Sequence, residues 1–216
     1  MTQKIFITGT DTDAGKTYIS TGILHAFNKH HYSTLGIKPI ASGCELHNGI
    51  LYNADALALQ QVSSIKLPYH KINPYAFLPA IAPHIAAQQV NCEVSVNELI
   101  KHTEEALHYP ADLCLVEGAG GWYVPLNDQE TMADYVKAAD LKVILVVGIR
   151  LGCINHAILT HKAIENDNIP IAGWIANCII PQREEHDEII LTLKNWLKSP
   201  CLGIVGHHES INIFPL

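Results

Sequence analysis

A three-layer α/β/α fold, with a mostly parallel central sheet covered by helices on both faces, is predicted by three features of the sequence. Apolar strand-like runs alternate with amphipathic helical segments along the chain. Two of those runs, residues 113–117 (LCLVE) and 143–147 (VILVV), are apolar on both faces, as strands at the centre of a parallel sheet are. A glycine-rich turn directly follows the first strand and opens the first helix, and sheets of this kind bind ligands at the carboxyl ends of their strands.

Residues 4–8 (KIFIT) form a short strand, and residues 17–30 a helix in which Ile19, Ile23, Leu24 and Phe27 recur at helical spacing. Residues 35–40 read as a second strand that ends near a proline, and residues 55–61 as a short helix. The segment 68–83 holds four prolines and several aromatics; its many apolar side chains predict an ordered excursion rather than a linker. Ser95 opens a helix that runs to about His108, with Glu98 three residues later completing a capping box. A helix over 154–166, a strand over 171–176 and a helix over 184–197 follow, the last carrying Ile189, Leu193 and Trp196 on one face. One domain spanning 1–216 is expected, because nothing in the middle reads as a flexible linker.

Composition narrows the function. The 216 residues are 48% hydrophobic, enough for one substantial core, and carry a formal charge of −7. No basic cluster stands out, so no nucleic-acid partner is expected. The first residues, MTQKIFITGT, do not read as a signal peptide, and the longest apolar run is far too short to span a bilayer. A cytoplasmic protein without a membrane partner is the expectation. The six cysteines (Cys44, Cys92, Cys114, Cys153, Cys178 and Cys201) form no C-x-x-C pair and read as small buried hydrophobes. The 13 histidines show no H-E-x-x-H or Cys/His ligand spacing, so no transition-metal site is expected.

The chemistry is concentrated in Gly9-Thr10-Asp11-Thr12-Asp13-Ala14-Gly15-Lys16-Thr17. Its tail, Gly15-Lys16-Thr17, matches the ending of a Walker A phosphate loop, although the spacing from Gly9 is one residue longer than the common form. Gly15 lets the backbone approach phosphate oxygens without a Cβ in the way. Amides of the loop and the first helical turn point at the anion, aided by the helix dipole. Lys16 adds a mobile positive charge for the β- and γ-phosphates, and Thr17 a hydroxyl for Mg²⁺. These features predict that the chain binds Mg-ATP. Glu117, at the end of an apolar strand and before Gly118-Ala119-Gly120-Gly121, is the first candidate acid for the metal, set against a solvated strand-end acid. Asp55 is the second, and from spacing alone it is equally a helix cap. Lys38, inside Gly36-Ile37-Lys38-Pro39-Ile40, is either an outward-pointing edge lysine or a second cation aimed at a transferring phosphate.

With these residues in place, the chain resembles the dethiobiotin synthetases, ATP-dependent cyclo-ligases of biotin biosynthesis. The resemblance covers most of the chain. It rests on the phosphate loop, on Lys38-Pro39-Ile40-Ala41-Ser42-Gly43, Asp55-Ala56-Leu57, Asn73-Pro74-Tyr75 and Pro83-His84, and on Val116 through Trp122 (VEGAGGW). It continues through Leu151 to His156 (LGCINH) and Gly173 to Asn177 (GWIAN). The K-P-I-A-S-G, E-G-A-G-G-W and L-G-C-I-N-H blocks in this order are far more specific than the Walker tail.

The resemblance implies a P-loop NTPase-like fold and a reaction in which 7,8-diaminopelargonate takes up CO₂ as a carbamate. The carbamate attacks the γ-phosphate of ATP to give a carbamic–phosphoric anhydride, and the second amine closes the ureido ring and expels phosphate. It implies that Lys16 and Lys38 neutralise phosphate and carbamate, and that Asp13 lies near the reacting amines. Thr17, Asp55 and Glu117 would hold Mg²⁺. Residues Asp13, Ala14, Gly15, Lys16, Thr17 and Tyr18, together with Gly118, Ala119 and Gly120, would line the nucleotide, and Asn177 would read the adenine edge. Thr12 and Ser42 would contact the carbamate or the diamine. It further implies a homodimer, in which Gly152, Cys153 and Asn155 at a helix N-terminus receive the partner's substrate carboxylate. The chain departs from the family pattern at Asp13, where a glutamate is common, and at Cys178, where an aspartate is frequent. It also lacks a Pro-aromatic element in Gly206-His207-His208-Glu209. Two rival readings remain: a dimeric switch ATPase, which would carry a lysine early in the loop, and a small-molecule kinase, which would leave a phosphorylated product.

Overall fold

The computed structural model describes residues 2–181 and 185–211. From the N-terminus run β1 (Gln3–Gly9), a 3₁₀ turn (Thr12–Ala14), α1 (Lys16–Lys29), β2 (Thr34–Ile37), β3 (Ile40–Ala41), β4 (Glu45–His47), β5 (Ile50–Tyr52) and α2 (Ala54–Val62). The excursion contains α3 (Tyr69–Ile72) and β6 (Tyr75–Ala76) and ends at the start of α4 (Pro83–Gln89). Then come α5 (Val96–Leu107), β7 (Leu113–Glu117), α6 (Met132–Ala138), β8 (Lys142–Gly148), α7 (Cys153–Asn166), β9 (Ile171–Asn177), α8 (Glu185–Trp196) and β10 (Cys201–Val205).

Six strands pair in the order β10-β9-β8-β1-β7-β2, every pair parallel. Strand order reverses around β1, because the chain leaves it for the β2 side and later crosses to β8. Such a switch point opens a crevice at the carboxyl rim. The register places Ile7 opposite Glu117, Gly9 opposite Val146 and Gly148 opposite Asn177, so Gly9, Glu117 and Asn177 all end at that rim.

Strand alternation divides the core between two helical layers. Phe6, Cys114, Val116 and Val143 pack with α5 and α6 residues such as Leu99, Ala106, Tyr135 and Val136. Ile5, Ile7, Leu113, Leu115, Ile144 and Val146 face the other way onto Ile19, Ile23, Leu24 and Phe27 of α1, all four of which are buried. A third cluster joins Leu145, Val147, Trp174 and Ala176 to α7 and α8. Four of the six cysteines are buried, and Cys92 and Cys201 are partly so. Burial pushes the Cys114 thiol up to about 12, as suits an inert core residue. No helix among the described residues is long and apolar enough to cross a membrane.

Several boundaries differ from the sequence reading for local reasons. The predicted strand 35–40 breaks after Ile37: the Lys38 amide turns to the Ile72 carbonyl (2.8 Å), and Pro39 has no amide to offer a ladder. Pairing resumes elsewhere, with Ile40 opposite Tyr75 and Ala41 opposite Ala76. The excursion is ordered, and its own Ile72 and Phe77 are buried. Half of the expected capping box forms on α5: Ser95 Oγ accepts from the Glu98 amide (3.3 Å), while the Glu98 carboxylate lies 3.7 Å from Lys101 and from His102. On α8 the buried residues are His186, Ile190 and Leu193, with Leu197 beyond; Trp196, expected on that face, is 61% exposed. The position 184 predicted to start this helix lies outside the described residues. The sequence reading also missed the β4–β5 hairpin, α6 and β10. The hairpin turns at Asn48 and Gly49 with φ of 51° and 81°, the left-handed pair a tight two-residue turn prefers.

Buried His161 on α7 sets a pH limit on this fold. Its Nε2 lies 2.9 Å from Ser199 Oγ and its Nδ1 3.6 Å from Glu165, which also faces Lys198 at 3.4 Å. Burial pushes the imidazole below its ordinary value of 6.5, with Glu165 only partly opposing this. The unfolded chain therefore binds a proton that the folded chain resists, so the stability contributed by this site is full above pH 6.5 and shrinks as pH falls below it. Urea midpoints measured from pH 8 to pH 5 should fall, and should fall less steeply in His161→Gln.

Candidate functional site

The rim of the sheet carries a cavity of about 880 Å³. Thr12, Asp13, Gly15, Lys16 and Thr17 line one side, Lys38, Ser42 and Asp55 another, and Ala119, Gly120, Gly121 and Tyr123 a third. Ala80 to Pro83, from the excursion, close the remaining side. A second cavity of about 700 Å³ opens beside Lys4 and Lys142 near the starts of the strands, away from these residues.

The loop after β1 is shaped by Gly15, which sits at φ 86° between the 3₁₀ turn and α1. A Cβ there would meet the Asn177 side-chain nitrogen at 2.1 Å, so both conformation and space demand glycine. That Asn177 nitrogen donates to the Ala14 carbonyl (2.9 Å), tying β9 to the loop. Lys16 opens α1 and curls back, its Nζ donating to the carbonyls of Asp11 (2.9 Å) and Thr12 (3.3 Å). Burial, together with the nearby Lys38 charge, lowers its pKa to about 8, against the pull of Glu117, Asp11 and Asp55.

Lys38 is 5% exposed, and its Nζ donates to Glu117 Oε1 (2.7 Å), to Asp55 Oδ2 (3.1 Å) and to the Gly118 carbonyl (3.3 Å). The outward-pointing alternative is thereby excluded. Burial opposes this ammonium, but Glu117 and Asp55 outweigh burial and hold its pKa above the usual lysine value. Asp55 mirrors it: burial raises its carboxyl, yet the Lys38 charge and hydrogen bonds from Lys38 and Thr17 hold it below the usual range. Asp55 is not the cap of α2 either. Asn53 Oδ1 caps that helix, accepting from the amides of Asp55 (3.1 Å) and Ala56 (3.2 Å), and leaves the Asp55 carboxylate to the cavity.

Thr17 Oγ1 donates to Glu117 Oε1 (2.8 Å), which brings the hydroxyl and the two carboxylates around one point. Glu117 is fully buried, and its second oxygen, Oε2, has no hydrogen-bond partner. An all-oxygen donor set with one orphaned carboxylate oxygen suits a hard divalent cation, which binds through one or two carboxylates and otherwise through water and phosphate. These residues fit Mg²⁺.

The remaining expected residues fall in three groups. Thr12, Asp13 and Ser42 line the cavity, as do Ala119 and Gly120, while Gly118 supplies a carbonyl to Lys38. Ala14 is buried beneath the loop, and Tyr18, 41% exposed, donates through its hydroxyl to the Glu209 carbonyl. Gly152, Cys153 and Asn155 lie outside this cavity, at the N-terminus of α7, where Gly152 adopts φ 89°. Cys153 is buried and its amide donates to the Arg150 carbonyl (3.1 Å).

Sequence reasoning missed the supports. The Tyr69 hydroxyl accepts from the Asn53 amide (2.7 Å) and donates to Asn73 Oδ1 (3.0 Å), and Asn73 Nδ2 donates to the Lys38 carbonyl (2.7 Å). Asn53 directly before an apolar helix was the one legible cap signal among them. Asp167 accepts from Trp122 Nε1 (2.7 Å) and the Tyr123 hydroxyl (3.1 Å), holding the glycine-rich segment after β7. Arg150 pairs with Asp11.

Known proteins resemble this chain in sequence and in fold. The AAA domain family model matches residues 3–212. A Pseudomonas aeruginosa protein named ATP-dependent dethiobiotin synthetase BioD is 50% identical over 204 residues, spanning 94% of this chain and 90% of its own length. The chain belongs to the dethiobiotin synthetase family. Members with the same name from Cellvibrio japonicus and Yersinia pestis are 50% and 44% identical, over 93% and 100% of this chain and 87% and 90% of their own lengths. Membership makes the chain a synthetase, an enzyme of the ligase class. Among solved structures, the MinD septum site-determining protein of Pyrococcus horikoshii, complexed with Mg-ADP, superposes with a TM-score of 0.62 at 14% identity. That superposition spans 95% of this chain and 82% of its own. The MinC:MinD cell division complex of Aquifex aeolicus gives 0.60 at 19% identity, with the same coverage of 95% and 82%. At these identities the likeness speaks for the fold alone, which is that of the P-loop NTPases.

The Lys38–Glu117 pair should be costly to break. Glu117→Ala leaves a buried ammonium with only the half-exposed Asp55, and is expected to lower the unfolding free energy by about 3 kcal/mol. Glu117→Gln keeps an acceptor and should lose less; urea denaturation of the two variants checks the order.

Proposed function

We propose that this chain converts 7,8-diaminopelargonate, CO₂ and ATP into dethiobiotin, ADP and phosphate, in keeping with the family name of its relatives. The single observation that carries the reading is Lys38, buried beside the phosphate loop yet kept charged by Glu117 and Asp55. A cation so placed can balance the negative charge of a carbamate and a transferring phosphoryl group.

In the proposed reaction one amine of the diamine adds to CO₂ and loses a proton, giving a carbamate. A carbamate oxygen attacks the γ-phosphorus as ADP leaves, forming a carbamic–phosphoric anhydride. The second amine attacks the carbamoyl carbon, closes the ureido ring and expels inorganic phosphate. The chain's part is positioning and charge, as phosphoryl transfer generally requires. Amides of the loop from Asp13 to Tyr18 cradle the phosphates, Lys16 exchanges its loop carbonyls for phosphate oxygens, and Lys38 faces the attacking carbamate. Thr12 and Ser42 orient the diamine, and Asp13 reaches toward its amines from the cavity wall. Mg²⁺, held by Thr17, Asp55 and Glu117, would supply Lewis-acid neutralisation of the phosphate oxygens. With the Asn177 nitrogen engaged by Ala14, its carbonyl oxygen is the atom left to accept from the adenine amino group.

Gly152, Cys153 and Asn155 belong to the same reading through a homodimer, in which the N-terminus of α7 binds the partner's substrate carboxylate. Their place outside the cavity of their own chain supports this. The distribution of charge in the loop argues against a switch ATPase, since Gly9, Thr10 and Asp11 include no lysine.

Two measurements test the proposal. Lys16→Ala and Lys38→Ala should each reduce turnover by about a hundredfold or more, the scale of losing one preorganised charge. Near-normal rates in both variants refute the roles assigned to the two lysines. Mass spectrometry of a reaction containing the diamine, bicarbonate and Mg-ATP should show dethiobiotin, with ADP release dependent on both substrates; a phosphorylated diamine would reveal a kinase.

A further inference from the structure

Asp11 poses an electrostatic problem that the reaction alone does not solve. It is an acid inside a loop built for an anion, and like charges repel strongly where water is excluded. Its backbone is nonetheless part of the machinery, because its carbonyl accepts from Lys16 Nζ at 2.9 Å. Thr10, one residue earlier, is fixed by its amide to the Val146 carbonyl (3.0 Å). The Asp11 side chain, 26% exposed, is absent from the cavity lining: Oδ1 is buried without a hydrogen-bond partner, and Oδ2 accepts from Arg150 Nη2. Arg150 follows β8 closely, and its own carbonyl accepts the Cys153 amide in the first turn of α7.

We infer that Arg150 is a positioning residue for the phosphate loop: it cancels the Asp11 charge and pins the residue whose carbonyl holds Lys16. The inference rests on the proposed binding of nucleotide at this loop. The Asp11 charge also helps Lys16 keep its proton, against burial and the Lys38 charge. Without Arg150 the Asp11 carboxylate is left uncovered within the loop that receives the phosphates, and the loop loses its tie to the start of α7. With both charged groups neutralised, the repulsion disappears while the backbone acceptor remains.

A double-mutant cycle on the full chain separates this from a general packing role. Mg-ADP affinity is measured by titration calorimetry for the wild type, Arg150→Gln, Arg150→Lys, Asp11→Asn and the Asp11→Asn/Arg150→Gln pair, with thermal melts as a check on folding. Arg150→Gln should weaken Mg-ADP about tenfold, as an uncovered charge near an anion would. Arg150→Lys should retain most of the affinity, and the double variant should return to within about threefold of Asp11→Asn alone. In steady state the KM for ATP should rise more than kcat falls, whereas a packing defect would lower kcat and the melting temperature together. Wild-type affinity in Arg150→Gln, or a double variant as weak as Arg150→Gln, overturns the inference. Should Arg150→Gln fail to fold, the double variant against Asp11→Asn decides the matter. Failure of the wild-type chain to bind Mg-ADP would sink the nucleotide reading itself, and is distinguishable from every outcome above.

Discussion

The arrangement at the rim depends on one buried ammonium shared by two carboxylates. Placing Lys38 out of water is tolerable only because Glu117, at the end of a central strand, and Asp55, at the start of α2, both reach it. The backbone serves that meeting. β2 stops one residue short of Lys38, Pro39 prevents the ladder from continuing, and the Asn73 side chain donates to the Lys38 carbonyl in place of a neighbouring strand. The helix that carries Asp55 is capped by its neighbour Asn53, which keeps the acid free. A strand break, a cap and a triad built around one buried ammonium are thus parts of one solution to the same electrostatic demand.

The two lysines of the site are not equivalent, and the difference follows from their partners. Lys38 has full counter-charges and holds its proton firmly. Lys16 donates only to neutral carbonyls, and the combination of burial and Lys38 brings its pKa down to about 8. Its hydrogen bonds to the loop are weaker holds than a phosphate would be, because charge-assisted pairs between opposite ions are the stronger kind. Lys16 is therefore the poised group and Lys38 the fixed one.

The parts of this site legible in the sequence are those written in short contiguous runs. The loop 9–17 follows a strand and precedes a helix, and Glu117 ends a run apolar on both faces, so secondary structure alone delivers both to the same rim. The resemblance to a known family favoured Asp55 as a ligand, where spacing left it even between cap and ligand. What stayed hidden depends on contacts between distant segments: Asp11 with Arg150, Asp167 with Trp122, Asn177 with Ala14. Element errors have similar causes. A proline-coupled turn split residues 35–40, and the amphipathic face of α8 is set by which side meets α7, which moved Trp196 into solvent. The β4–β5 turn was readable, since Asn48-Gly49 is a strong hairpin signal, but each strand it joins is only three residues long.

Gly15 and Asn177 share one small volume: the amide of one fills the place where a side chain on the other would go. The lattice of the loop is thereby completed by a strand on the far side of β8, through a bond that spans 163 positions of the chain. Substitutions at either position are constrained by the other, so drift at the two should be correlated among relatives rather than independent. The end of β9 is in this sense a segment of the loop, contributed from another part of the gene.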